Sequence, residues 1–240
     1  MALTRTQLVA RVLDSMGRSG TGTSRSGVAY STLAIDWLNF AQYRIARRYD
    51  FLFRTSTAST IASQKCYAMP SAVKTIYGIT LQNGSSSRKL TMVLQEDFDL
   101  YIPYPENATT GTPNWYVPHK TTNEFDLYRI PDAAYTLQMR FTYWPTELTS
   151  DAQTSDFSHM DDVLIAGAVH EGYLFIQELG DATLWEGIYT KRLQEAYDSF
   201  NDYPDWYVQS KGFSSTPMSY GVGEYYADPL VFQQPRYTWQ

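Results

Sequence analysis

Two stretches near the start of the chain carry apolar residues at helical spacing. Over residues 5–16, Leu8, Val12 and Met16 fall on one stripe, with Val9 and Leu13 beside it. Thr4 and Gln7 stand in front at capping-box spacing, and Gly17 supplies a stop behind. A second helix is predicted over residues 32–49, with Ser31 as its cap. Ala34, Leu38, Ala41 and Ile45 form its stripe, and Trp37, Phe40 and Tyr43 widen it, so it faces more than one neighbour. The run between them, RSGTGTSRSG at 18–27, is polar, small and loop-like.

After residue 53 the period changes. RTSTASTIAS mixes small, polar and β-branched residues, and Tyr67, Val73, Ile76, Ile79 and Leu81 punctuate the following stretch. Asn83-Gly84 is a strong hairpin signal. A short helix is predicted in QEDFDLYI, stopped by Pro103. NWYV, EFDLYRI and TLQMRFTYW read as strands. The last alternates, with Leu137, Met139, Phe141 and Tyr143 on one side, and Pro145 ends it.

Helical spacing returns near Met160, where Ser158 and Asp161 have capping-box separation. Val163, Ala166 or Gly167, His170, Leu174 and Gln177 trace one line. Gly180 is expected to stop this helix and Asp181 to cap the next, which uses Trp185, Ile188, Tyr189, Leu193, Ala196 and Tyr197. Lys191 and Glu195 can pair on its wet side. So short a turn predicts antiparallel helices. The expected fold class is α+β. A helical bundle is formed by the terminal helices (1–53 and 151–200), around an inserted β-rich region with a short helix (54–150). An extended C-terminal arm follows at 201–240.

That last segment does not read as an ordinary terminus. Prolines at 204, 217, 229 and 235 rule out a long helix, and the aromatic content rules out disorder of the low-hydrophobicity kind. Tyr203, Trp206, Tyr207, Phe213, Tyr220, Tyr225, Tyr226, Leu230, Phe232, Tyr237 and Trp239 read as anchors spaced along an extended arm. Each can enter a pocket on a neighbouring molecule, where buried Tyr and Trp are favoured hot spots. The competing reading folds the arm back on its own helices. The partner reading is the one favoured, and it predicts that a chain cut after Phe200 folds but docks poorly.

Composition sharpens this picture. Charged residues make up 18% of the 240-residue chain, against roughly 25% in an average globular domain. Twenty tyrosines and six tryptophans suit interfaces as well as cores. A net charge of −6 argues against a nucleic-acid binder. The local cluster of Arg44, Arg47, Arg48 and Arg54 is read as cations opposing a helix dipole. The single cysteine, Cys66, excludes an internal disulfide and a zinc site built from cysteines. The amphipathic start reads as no signal peptide, and no apolar run approaches the roughly 18 residues of a membrane span.

Candidate chemistry is sparse. Gly22 and Gly27 have P-loop spacing, but Val28-Ala29 stands where Lys and Ser or Thr are required. His159, Asp161 and Asp162 invite a metal, yet they share no helical face and capping explains the aspartates. His170 lies on an apolar line and is expected to be packed; His119 completes the set of three histidines. Glu96, Asp97 and Asp99 lack the alternation and the glycine of a calcium loop. The expectation is therefore a non-enzyme with no catalytic, cofactor-binding or metal-binding residues and no cofactor.

The order of motifs resembles bacteriophage head-to-tail adaptor proteins, also called neck, connector or tail tubular A proteins. AIDWLNFAQYRIARRYDFLFRT is similar to their second helix, with an aromatic exit at Tyr49 to Phe53. Tyr67-Ala68-Met69-Pro70 matches a Tyr-x-x-Pro, and Gly111-Thr112-Pro113 before Trp115-Tyr116 matches a Gly-x-Pro strand entry. Leu127 to Asp132 and the close on Tyr143-Trp144-Pro145 complete the series. The resemblance covers most of residues 1–200. It implies a wedge-shaped structural subunit of the virion neck, made in the host bacterial cytoplasm. Such subunits form a ring, commonly dodecameric, beneath the portal. The implied partners are the portal protein, a tail nozzle or tube protein, further copies of the chain, and genome DNA passing without specific binding; no membrane is involved. The alternatives are another neck or tail-completion protein, a cell-wall-active enzyme whose aromatics stack on sugars, and a free cytosolic binding module.

Overall fold

Thr4 begins the first helix as its spacing predicts. Its side chain accepts from the Gln7 N–H and the Gln7 side chain accepts from the Thr4 N–H, which satisfies two of the helix's free donors. In a computed structural model of the chain this helix, α1, spans Arg5–Ser15. The structure describes residues 2–201 apart from 19, 21, 25, 26, 85, 103–108, 120, 121 and 158. Two compact units divide the chain, residues 1–196 and 197–240. Only residues 197–201 of the second, the end of α5, are described.

Helix α2, Tyr30–Arg48, starts earlier than its spacing suggests. Ser31 is not its cap. Ala29 holds that position without a side-chain hydrogen bond, because it is bridged to Thr23 while the Tyr30 N–H donates to the Gly22 carbonyl. A small backbone turn, with the Ser24 N–H donating to the Val28 carbonyl, therefore delivers the chain into α2 and takes over the capping.

Helix α4, Asp161–Ile176, and helix α5, Leu179–Asn201, are joined by an even tighter turn than expected. Gln177, with φ +66°, adopts the left-handed conformation that ends α4. Gly180 and Asp181 lie within α5, so neither stops nor caps. Nor does Asp161 complete a capping box: Met160 is the N-cap, with no side-chain hydrogen bond, and the Asp161 carboxylate accepts from the Leu3 N–H at 2.8 Å. His170 meets Ala182, Gly167 meets Tyr189, and Arg192 meets Asp162, so α4 and α5 run antiparallel.

α1, α2 and α4 pack on one another, and Leu8, Val12, Leu38, Ile45, Leu164, Val169, Tyr189 and Leu193 are almost fully buried between the helices. Two glycines of α4 set the approach. A Cβ at Gly167 would lie 3.1 Å from the Ala41 Cβ and the Tyr189 ring. One at Gly172 would lie 2.6 Å from the Met16 sulfur and 3.0 Å from the Trp37 ring.

Between α2 and α4 the described residues form eight strands and the short helix α3, Gln95–Tyr101. The strands are β1 Phe53–Ser59, β2 Cys66–Ala68, β3 Val73–Asn83, β4 Ser86–Lys89, β5 Thr91–Met92, β6 Trp115–Pro118, β7 Glu124–Tyr128 and β8 Thr136–Tyr143. One sheet has the order β1-β8-β3-β4, all antiparallel. The other has the order β2-β7-β6-β5, with only β5 and β6 parallel. The β3–β4 hairpin turns at Asn83-Gly84, where Gly84 has φ +57°. Ile79, Leu81, Leu137, Met139 and Phe141 from one sheet meet Tyr67, Tyr116, Phe125 and Leu127 from the other in a second core.

The first and last of these strands, β1 and β8, are hydrogen-bonded neighbours, so the chain leaves and rejoins the helices side by side. Polar side chains secure this junction. Lys74 donates to the Ala46 carbonyl in the last turn of α2 and pairs with Asp50 at 2.7 Å; the Tyr77 hydroxyl donates to the other Asp50 oxygen at 3.0 Å. A cation at a helix C-terminus is favoured by the orphan carbonyls there. Although burial opposes the charge, the bonds from Lys74 and Tyr77 hold the Asp50 carboxyl below its usual range. Buried Gln42 of α2 accepts from the Ser155 hydroxyl at 2.9 Å, and Asn39 accepts from the Leu148 N–H at 2.9 Å, tying down the connector to α4.

Candidate functional site

Three features of the described residues stand out from the packing. The first is the arginine network at the outer seam of α2. Arg44 reaches Glu171 of α4 and Glu186 of α5, each at 3.3 Å, and its guanidinium lies 4.8 Å from the centre of the Tyr189 ring. Burial pushes the Tyr189 phenol up, while Arg44 and Arg48 pull it the other way. Arg54 lies over the Tyr143 ring at 4.4 Å and Arg48 over Tyr49 at 5.5 Å. Of the basic cluster, Arg47 and Arg48 lie in the last turn of α2, where cations oppose the helix dipole, Arg44 lies one turn earlier, and Arg54 belongs to β1.

The second feature is apolar. Leu174 and Phe175 at the end of α4, Leu179 and Leu184 at the start of α5, and Phe40 of α2 are exposed. Phe175 pairs with the Trp37 ring at 5.9 Å and lines a cleft of about 400 Å³ with Arg18, Tyr30 and Glu178. The Arg18–Glu178 ion pair at 3.0 Å spans that cleft. Exposed apolar side chains of this size are the kind that partners cover.

The third is a polar group on the β2-β7-β6 sheet. Cys66 of β2 is the cross-strand partner of Asp126 of β7, and the His119 N–H donates to the Glu124 carbonyl at 3.0 Å. Glu124 and Asp126 are two apart and share a face. One ligand-type atom from each of Cys66, His119 and Glu124 lies within 4.8 Å of the others. Asp126 pairs with Lys65 at 2.8 Å and stands 3.4 Å from His119 Nε2. Burial pushes the Cys66 thiol up, and the carboxylates of Asp126 and Glu124 add to that. Nothing in the local sequence signals this group, because its members come from separate strands.

The other histidine expectations are simpler. His170 is buried in α4 and donates from Nδ1 to the Ala182 carbonyl at 3.0 Å, a packed structural histidine. His159 has φ +66° just before α4, and Asp162 makes a long 3.9 Å contact with Arg192. Glu96 and Asp97 occupy the first turn of α3, where acids oppose the helix dipole. The predicted anchors Tyr203, Trp206, Tyr207, Phe213, Tyr220, Tyr225, Tyr226, Leu230, Phe232, Tyr237 and Trp239 all lie outside the described residues.

The profile of the SU10 adaptor protein family matches residues 3–214. The chain belongs to that family. Membership makes it a structural adaptor protein of a bacteriophage, which agrees with the resemblance carried by its motif order. No curated protein matches the sequence. The match extends past α5, so the adaptor's family-shared segment includes Tyr203, Trp206, Tyr207 and Phe213 and stops short of the remaining anchors. Among the described residues of the adaptor, no helix is long and apolar enough to cross a membrane.

Proposed function

We propose that this adaptor forms a ring beneath the portal in the virion neck, dodecameric in copy number, joining capsid to tail around a DNA channel. The family match over residues 3–214 carries the reading. In it, α1, α2, α4 and α5 act as a helical bundle that meets neighbouring copies. The exposed Phe40, Leu174, Phe175, Leu179 and Leu184 provide apolar surface for that contact. Residues 202–240 act as an extended arm whose aromatic anchors enter pockets on the portal, the tail protein or the next copy. The net charge of −6 suits a channel that must not trap DNA. The role is structural and asks for no catalytic group.

Imaging of assembled particles with this chain located in them tests the ring. A closed ring between portal and tail is the expected result; a position on the capsid surface, or absence from the particle, overturns it. Two truncations test the arm. A chain ending at Asn201 lacks every anchor, and one ending at residue 214 keeps only the family-shared ones. Both are expected to melt like the full chain. The shorter is expected to fail to join DNA-filled heads and the longer to join them weakly. Normal incorporation of the shorter chain removes the arm from the proposal.

A further inference from the structure

The geometry points to a zinc site on the β2-β7-β6 sheet, with Cys66, His119 and Glu124 as ligands and Asp126 as the residue that positions the histidine. Strand register produces the convergence. Pairing of Cys66 with Asp126 puts both side chains on one face, and Glu124, two residues back along β7, shares it. The His119–Glu124 backbone bond brings the imidazole to the same face from the end of β6.

His119 presents its two nitrogens to different partners. Nε2 lies 3.4 Å from Asp126 Oδ1, while Nδ1 lies 4.0 Å from Glu124 Oε2 and 3.2 Å from the Thr122 hydroxyl. A metal-binding histidine commonly donates its second N–H to a carboxylate, which fixes its tautomer and ring orientation. Asp126 is placed for that, and Lys65 at 2.8 Å anchors the aspartate in turn. Nδ1 then faces the metal and exchanges its Thr122 contact for it.

The donor set selects the ion. A thiolate, an imidazole and a carboxylate suit zinc, whereas calcium and magnesium take oxygen ligands. Tetrahedral ligands around zinc, at about 2.0–2.3 Å from it, stand about 3.3–3.8 Å apart. One donor atom of each residue, for His119 one of its two ring nitrogens, lies within 4.8 Å of the others, and the half-exposed Glu124 closes the difference by rotation. Water from the open side takes the fourth position. The ion would clip β2, β7 and the turn after β6 together, independently of how the adaptor assembles.

Full-length chain, stripped with a chelator and titrated with cobalt or zinc alone, tests the site. One metal per chain is expected, with a thiolate-to-cobalt charge-transfer band that one equivalent of zinc bleaches. Cys66→Ser is expected to abolish the band and His119→Gln to weaken zinc binding by at least about tenfold. Asp126→Asn is expected to weaken binding by about 10–100-fold while keeping the band, which separates positioning from ligation. Melting curves in chelator control for folding. If Cys66→Ser does not fold, the band of the unaltered chain still decides. No stoichiometric uptake, no charge-transfer band, or binding unchanged in Cys66→Ser and His119→Gln overturns the site.

Discussion

The helical core and the core between the sheets are both largely apolar, yet they are filled differently. Where α4 meets α1, α2 and α5, small residues stand among the large ones: Ala34, Ala41, Ala46, Ala166, Gly167, Ala168 and Gly172 let Leu38, Val169 and Tyr189 come close. Between the sheets stand Tyr67, Tyr116, Phe125, Tyr135 and Phe141. Stacked sheets sit about 10 Å apart and need long side chains to span the gap. Helices can approach until backbones nearly touch, provided nothing projects. The helical core should therefore resist added volume, and the sheet core should resist its removal.

The largest expected effect tests the sheet side. Phe125→Ala removes a ring that is nearly fully buried and tilted against Tyr67, with ring centres 5.9 Å apart, and should cost about 3–5 kcal/mol by urea unfolding. A loss under about 1 kcal/mol would mean that the sheets close over the gap and the contrast is wrong. The helical side comes next. Gly167→Leu has no space beside Ala41 and Tyr189 and should cost about 3 kcal/mol, even though leucine is the better helix former. Wild-type stability in that variant would show that α4 shifts freely.

Two smaller effects sharpen the comparison outside the cores. Gly84 turns the β3–β4 hairpin at φ +57° in open space, so Gly84→Ala should cost about 1 kcal/mol through backbone strain alone. The Asp50–Lys74 pair joins the two regions and is partly exposed, so its contribution is screened and small. Its sign is definite. The folded-state value of Asp50 lies below the unfolded one, so the stabilisation is present above the ordinary value of about 3.9. It is lost as pH falls through the lowered folded value. The melting temperature of Asp50→Asn should therefore fall below that of the unaltered chain at neutral pH and converge on it in acid. A constant gap across that range would assign the effect to packing.

Much of the local structure was legible because it rests on neighbours in sequence. The Thr4–Gln7 capping box, the Asn83-Gly84 turn, the alternation through Leu137, Met139 and Phe141 and the apolar line of α4 each need only a few consecutive positions. The misreadings came where a distant segment took over a local job. Ser31 was displaced as cap by the Thr23–Ala29 bridge, and Asp161 turned from a capping role to the Leu3 N–H. Gly180 yielded to Gln177, whose left-handed turn starts α5 earlier. The Cys66–His119–Glu124 group left no local signal at all.

The amino-acid order by itself determined which segments are helical and which extended, where the hairpin turns, and the motif series that marks a phage adaptor. Short-range hydrogen bonding and side-chain periodicity are enough for that. Only the tertiary structure decided that β1 lies against β8, that Gly167 and Gly172 mark the closest helix contacts, and that a thiol, an imidazole and two carboxylates share one sheet face. Those outcomes depend on strand register and interhelical distance, which arise when residues far apart along the chain compete for the same buried space.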